Sequence, residues 1–154
     1  MLIGMPSSGK CSVGKLLADK IGCDFIDTDE LITDKIKMPI KDFFSTYGEE
    51  KFREVESENI RGLVGRGGIV IATGGGAILR NEYIANLKYN GRLYFIDRPL
   101  DKLIATDTRP LSSDRAAIEQ RYKERYQIYR DCCDEQVEAE TDAQAVADRI
   151  LENF

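Results

Sequence analysis

"GMPSSGKCS" (residues 4–12) decides how the rest of the chain is read. It sets Gly4 and Gly9–Lys10 at the spacing G-x-x-x-x-G-K, after the apolar run Met1–Ile3 and before a helical pattern. Glycines let a backbone wrap closely enough for its N–H groups to face phosphate oxygens. The helix that follows turns its positive end toward the same anion, and Lys10 can reach the β- and γ-phosphates. A plain glycine turn would explain the bare pattern. A strand before it and a helix after it favour nucleotide binding.

Outward from that loop, short apolar runs alternate with longer helical ones. Met1–Ile3 is expected to be the end of a first strand whose beginning is clipped. Val13, Leu16, Leu17 and Ile21 mark one face of a helix over residues 10–21, and Gly22 is its expected stop. "CDFID" (23–27) predicts a strand and "ELITDKI" (30–36) a helix. "PIKDFFSTYG" (39–48), opened by proline and closed by glycine, predicts a short helix. "EEKFREVESENIRGLVGR" (49–66) predicts another, with Phe52, Val55, Ile60 and Leu63 inward.

"GIVIAT" (68–73) and "RLYFID" (92–97) are β-branched or aromatic and bounded by glycine, as buried strands are; "NEYIANLKYNG" (81–91) is a helix between them. A polar stretch after Pro110, a helix over 115–129, a weak strand at "EQVEAE" (135–140) and a helix from Asp142 complete the chain. Such alternation predicts an α/β fold, a parallel sheet with helices on both faces. Ligands then bind beyond the carboxyl ends of the strands.

Composition narrows the function classes. At 154 residues the chain suits one domain, 1–154. A net charge of −5 argues against a general nucleic-acid or membrane binder. With no histidine, and no CxxC pair among Cys11, Cys23, Cys132 and Cys133, the usual zinc spacings and Cys-His or Ser-His nucleophiles are excluded. No apolar run approaches the ~20 residues of a membrane span, and no signal peptide is evident. A reduced, cytoplasmic protein is the expectation.

Each strand end carries a motif with a bland and a chemical reading. In "DTD" (27–29), an Asp before a helix is a good N-cap; alternatively Asp27 holds Mg²⁺ through water while Asp29 faces an acceptor hydroxyl. Alternation puts both carboxylates on one side if the strand runs that far. In "FREVE" (52–56), Arg53 and Glu56 form either an exposed i,i+3 pair or a braced fork for a substrate carboxylate. Three glycines in "TGGGA" (73–77) suggest a ligand against the backbone. "TRPL" (108–111) reads as a surface loop, or as a lid that brings Arg109 to the transferring phosphate. Arg125 and Arg130 in "ERYQIYR" (124–130) need no more than packing and solvation.

The succession GxxxxGK, DTD, FRxxE, TGGGA, RPL and ERxxxYR resembles the shikimate kinase family over essentially the whole chain. The resemblance implies the nucleoside monophosphate kinase fold: a five-stranded parallel sheet in order 2-3-1-4-5, with a small lid at about 107–116. It implies transfer of the γ-phosphoryl of ATP to the 3-hydroxyl of shikimate, on the route to chorismate and aromatic amino acids, by a monomer. Lys10 then matches the phosphate-binding lysine, within a nucleotide loop of Ser7, Ser8, Gly9, Lys10, Cys11 and Ser12. Asp27 matches the carboxylate linked to Mg²⁺ through water, and Asp29 the hydroxyl-binding candidate general base. Arg53 and Arg125 match the arginines on the shikimate carboxylate, with Glu56 bracing Arg53. Gly75, flanked by Gly74 and Gly76, matches a backbone contact to shikimate, and Arg109 the lid arginine on ATP.

The chain departs from that pattern in places. Cys11 replaces the Ser or Thr whose hydroxyl ligates Mg²⁺, and a thiol is a poor partner for so hard a cation. Ser7 stands where glycine is frequent. Ala105, Thr106 and Asp107 stand where an arginine often precedes the lid, and "ETDAQ" (140–144) lacks an arginine and proline. Two alternatives stay open: a gluconate- or nucleotide-type kinase on the same fold, and a binding relative whose turnover Cys11 has impaired.

Overall fold

Gly4 stops the first strand almost as soon as it starts. In the computed structural model, which describes residues 1–89, 91–104, 114–140 and 142–154, β1 is only Leu2–Ile3. It nevertheless forms the centre of the sheet. β2 (Asp24–Asp27), β3 (Ile69–Ala72), β4 (Tyr94–Asp97) and β5 (Glu135–Glu138) join it in the order β2-β3-β1-β4-β5. All pairings are parallel, as expected. Two residues suffice because both flanks are bonded. The Leu2 carbonyl accepts from the Thr73 N–H (3.0 Å), and the Met1 carbonyl accepts from that of Tyr94 (2.8 Å).

Helices cover both faces. They are α1 (Lys10–Ile21), α2 (Thr28–Ile36), α3 (Ile40–Gly62), α4 (Asn81–Tyr89), α5 (Arg115–Cys132) and α6 (Ala143–Glu152). Strand alternation divides the core in two. Leu2, Tyr94 and Ile96 pack with Val13 and Leu17 of α1 and Val146 and Ile150 of α6. Ile3 and Phe95 face the other way, onto Ile60 of α3, Tyr83 of α4 and Tyr129 of α5. No helix among the described residues is long and apolar enough to cross a membrane.

The structure refines three expectations. Ile21 is exposed, and Val13, Gly14, Leu17 and Ala18 form the buried face of α1. β2 stops at Asp27, so Asp29 lies in the first turn of α2 and does not extend the strand. The two helices expected either side of Gly48 are both present, joined in the run Ile40–Gly62 through the non-helical backbone of that glycine (φ 81°, ψ 169°). Val55 on its second half is only half-buried. Glycine is suited to such a joint because φ > 0 carries no Cβ penalty there.

α2 ends less favourably. Its C-cap, the exposed Lys37, sits in the left-handed region (φ 56°, ψ 29°) and donates its N–H to the Thr33 carbonyl. An L side chain in that conformation costs roughly 1 kcal/mol. Lys37→Gly should therefore raise the unfolding free energy by about 0.5–1 kcal/mol and Lys37→Val should lower it. Denaturant midpoints at constant m-value measure both.

Candidate active site

The phosphate-loop pattern forms a loop wrapped around its own lysine. Gly4 takes φ 151°, and a Cβ there would lie 2.7 Å from the Ile96 carbonyl oxygen, so only glycine lets the chain pass β4 this closely. Gly9, at φ 95°, caps α1, and its carbonyl accepts from the Val13 N–H. The helix has no side-chain cap and no acidic residue in its first turn. Its N-terminal N–H groups thus face the loop as anion donors.

Lys10 is 4% exposed, and its Nζ donates to the carbonyls of Gly4 (2.9 Å) and Met5 (2.8 Å) and to Ser8 Oγ (3.4 Å). The ammonium is thereby held at the floor of the loop. Ser7, where glycine is frequent in the resembled family, adopts φ 62° and donates its hydroxyl to the Ile104 carbonyl (2.9 Å). Ser12 is exposed.

Across from the loop, Asp27 serves as N-cap of α2. Its Oδ1 accepts from the N–H groups of Asp29 (2.8 Å) and Glu30 (3.4 Å). Its Oδ2 is thereby aimed at α1, where the Cys11 thiol lies 2.7 Å away. The two readings of Asp27 are compatible, since each oxygen has its own task. That second oxygen fits a cation held through water. The sulfur beside it does not fit as a direct Mg²⁺ ligand, because Mg²⁺ selects oxygen. A cleft of about 640 Å³ opens here, walled by Asp27, Asp29, Glu30, Thr33, Asp34, Pro39 and Ile40.

The glycine run after β3 is where the remaining charges meet. A Cβ on Gly74 would lie 2.5 Å from Asp29 Oδ1 and 3.4 Å from Glu56 Oε1; one on Gly76 would run into the Arg53 guanidinium. One on Gly75 would lie 2.9 Å from Pro6 Cδ of the phosphate loop. Each glycine therefore admits a different neighbour, and together they let the loop, Asp29 and the Arg53–Glu56 pair share one small volume.

Arg53 and Glu56 are buried, at 7% and 1% exposure, so the surface-pair reading is excluded. Arg53 Nη1 donates to Glu56 Oε2 (2.7 Å) and Nη2 to Glu49 Oε1 (3.1 Å). Burial pushes the Glu56 carboxyl upward in pKa, the Arg53 charge pulls it back, and Asp29 adds to the push. Its Oε1 has no hydrogen-bond partner among the described residues. Arg125, also buried, donates to the Gly75 carbonyl (3.1 Å), as does the Tyr129 hydroxyl (2.6 Å).

Similarity to known proteins identifies its family. The family model for shikimate kinase matches residues 6–154. A shikimate kinase of Clostridium botulinum (strain Eklund 17B / Type B) is 40% identical over 136 residues, 86% of this chain and 82% of its own. The chain belongs to the shikimate kinase family. Among solved structures, shikimate kinase from Acinetobacter baumannii in complex with shikimate superposes with a TM-score of 0.92 at 29% identity, over 99% of this chain and 90% of that one. Shikimate kinase from Aquifex aeolicus does so with a TM-score of 0.85 at 33% identity, over 98% and 92%.

For a shikimate kinase, several supporting groups escape a motif reading. Thr28 between the two aspartates is fully buried, and its Oγ1 accepts from the Gly74 N–H (2.9 Å). The Tyr83 hydroxyl bonds the Arg53 carbonyl, and Glu49 supplies the second carboxylate to Arg53. Only the i−4 spacing of Glu49 from Arg53 signals any of these in the sequence. Arg109 and most of the lid expected at about 107–116 lie outside the described residues.

Crowding at Gly76 generates a sharp expectation. Gly76→Ala should displace the Arg53 guanidinium and raise the KM for the acceptor acid by about tenfold or more, the loss of a charge-assisted hydrogen bond. The KM for ATP should stay within about twofold, because Lys10 and its loop are untouched. Steady-state kinetics with each substrate varied in turn separate the two constants.

Proposed function

We propose that this chain transfers the γ-phosphoryl group of ATP to the 3-hydroxyl of shikimate, as a single kinase domain over residues 1–154 with its lid at about 107–116. The observation that carries the reading is that Pro6 of the phosphate loop packs where a Cβ on Gly75 would crowd it, and that Arg125 holds the Gly75 carbonyl. Phosphate donors and carboxylate-binding arginines thus lie on either side of one glycine run.

Each residue then has a task. Lys10 exchanges its loop carbonyls for phosphate oxygens, and the N–H groups around Ser7, Ser8, Gly9, Cys11 and Ser12 surround them. Arg53 and Arg125 neutralise and orient the acid carboxylate, and Gly74–Gly76 let the ring lie against the backbone. Asp29 faces the acceptor hydroxyl and takes up its proton. Mg²⁺, when bound, neutralises phosphate charge; Asp27 is the residue that would hold it, through water. Arg109 adds a positive charge from the lid. Phosphoryl transfer needs positioning and charge neutralisation more than covalent chemistry, and these side chains supply both. The net negative charge of the chain is no obstacle, because the basic groups converge locally.

A panel of acceptors tests this directly. ADP release should be robust with shikimate, ATP and Mg²⁺, and at background with gluconate or nucleoside monophosphates. Background release with saturating shikimate would sink the reading.

The contact between Cys11 and Asp27 favours a second, narrower reading, in which turnover is impaired because a thiol occupies the metal side of the loop. Cys11→Ser should then lower the Mg²⁺ concentration needed for half-maximal rate and raise kcat severalfold. An unchanged Mg²⁺ titration would show that residue 11 makes no metal contact.

A further inference from the structure

The inward stripe of α5 holds an arginine that the reading above leaves unused. Ile118, Arg121, Arg125, Tyr129 and Cys132 recur at three- and four-residue spacing, which places them on one face of the helix. The others are buried, with Arg125 and Tyr129 reaching the Gly75 carbonyl. Arg121 is half-buried, yet its Nη1 is sealed from water and has no hydrogen-bond partner among the described residues. Dry, unbonded polar atoms are few in native proteins, and a guanidinium is an especially expensive group to leave so.

Its electrical surroundings are also unbalanced. Arg125 stands one helical turn away, about 6 Å along the axis, and repels it. Glu124, Glu49 and Asp114 attract it, but each is already engaged. Glu49 accepts from Arg53, Glu124 from Gln120 Nε2 (2.7 Å), and Asp114 caps α5 at the Ala117 N–H (2.8 Å). Burial first, and Arg125 second, hold the Arg121 pKa below the ordinary arginine value. Two neighbouring guanidiniums with one unspent donor make an arrangement that an arriving anion would complete. Glu49 ties that position to the Arg53 side of the site, where the acid carboxylate belongs.

We propose that Arg121 is a third anion-binding arginine of the acceptor site, its half-buried guanidinium turning so that Nη1 donates to the carboxylate that Arg53 and Arg125 also hold. This rests on the acceptor reading above and extends it to a residue outside the ERxxxYR motif. Calorimetric titration of shikimate into Arg121→Gln and Arg121→Met should show affinity reduced by about tenfold, with Arg121→Lys intermediate. The methyl ester of shikimate, which lacks the anion, should bind wild type and variants alike. Removing a charge next to Arg125 should also leave the melting temperature of the unliganded Arg121→Met protein unchanged or raised.

Unchanged shikimate affinity in both variants overturns the proposal, as does a loss confined to ATP or one equally large for the methyl ester. ADP release by wild type runs in parallel. Its failure would count against the kinase reading, whereas calorimetry judges Arg121 by itself.

Discussion

Everything at the site depends on how closely charged side chains approach the backbone of Gly74–Gly76. Asp29, Glu56 and Arg53 come from two helices, and Pro6 comes from the phosphate loop, yet all press on three consecutive residues without a Cβ. A methyl group at any of the three would displace one of them. The entropic cost of three glycines, ~0.5–1 kcal/mol each relative to alanine, is what that crowding requires. β3 supports the arrangement because it lies between β2, which leads into Asp29, and β1, which leads into the phosphate loop.

The buried Arg53–Glu56 pair carries a different kind of constraint. Such pairs contribute little net stability, but leaving one partner alone costs ~3–5 kcal/mol. Arg53 is consequently held on both sides, by Glu56 and Glu49, while the Tyr83 hydroxyl holds its carbonyl. The result is a guanidinium fixed in orientation before any substrate arrives. Preorganisation of this sort is what phosphoryl transfer asks of a protein, since little else is available to lower the barrier.

Cys11 belongs to the same logic of oriented groups. Asp27 spends one oxygen on the start of α2 and turns the other toward α1. The carboxylate is therefore aimed whether or not residue 11 carries a hydroxyl. The substitution changes the chemistry at one point of the loop and leaves the loop's backbone, with its left-handed Gly9 and buried Lys10, in place.

The amino-acid sequence by itself determined the alternation of strands and helices, the loop and the residue types at each strand end. Those depend on local features: glycine spacing, strand and helix periodicity, and the succession of motifs. It also carried the family, which the comparisons bear out. It did not decide whether Arg53–Glu56 was exposed, where β2 ended, or that Ile21 faced water, because burial is set by neighbours distant in the chain. Thr28, Tyr83 and Tyr129 act through backbone atoms 30–54 residues from their own positions, leaving no local trace. Arg121 shows the same divide. Its spacing on α5 is plain in the sequence, but only packing against the rest of the fold leaves its Nη1 dry and without a partner among the described residues.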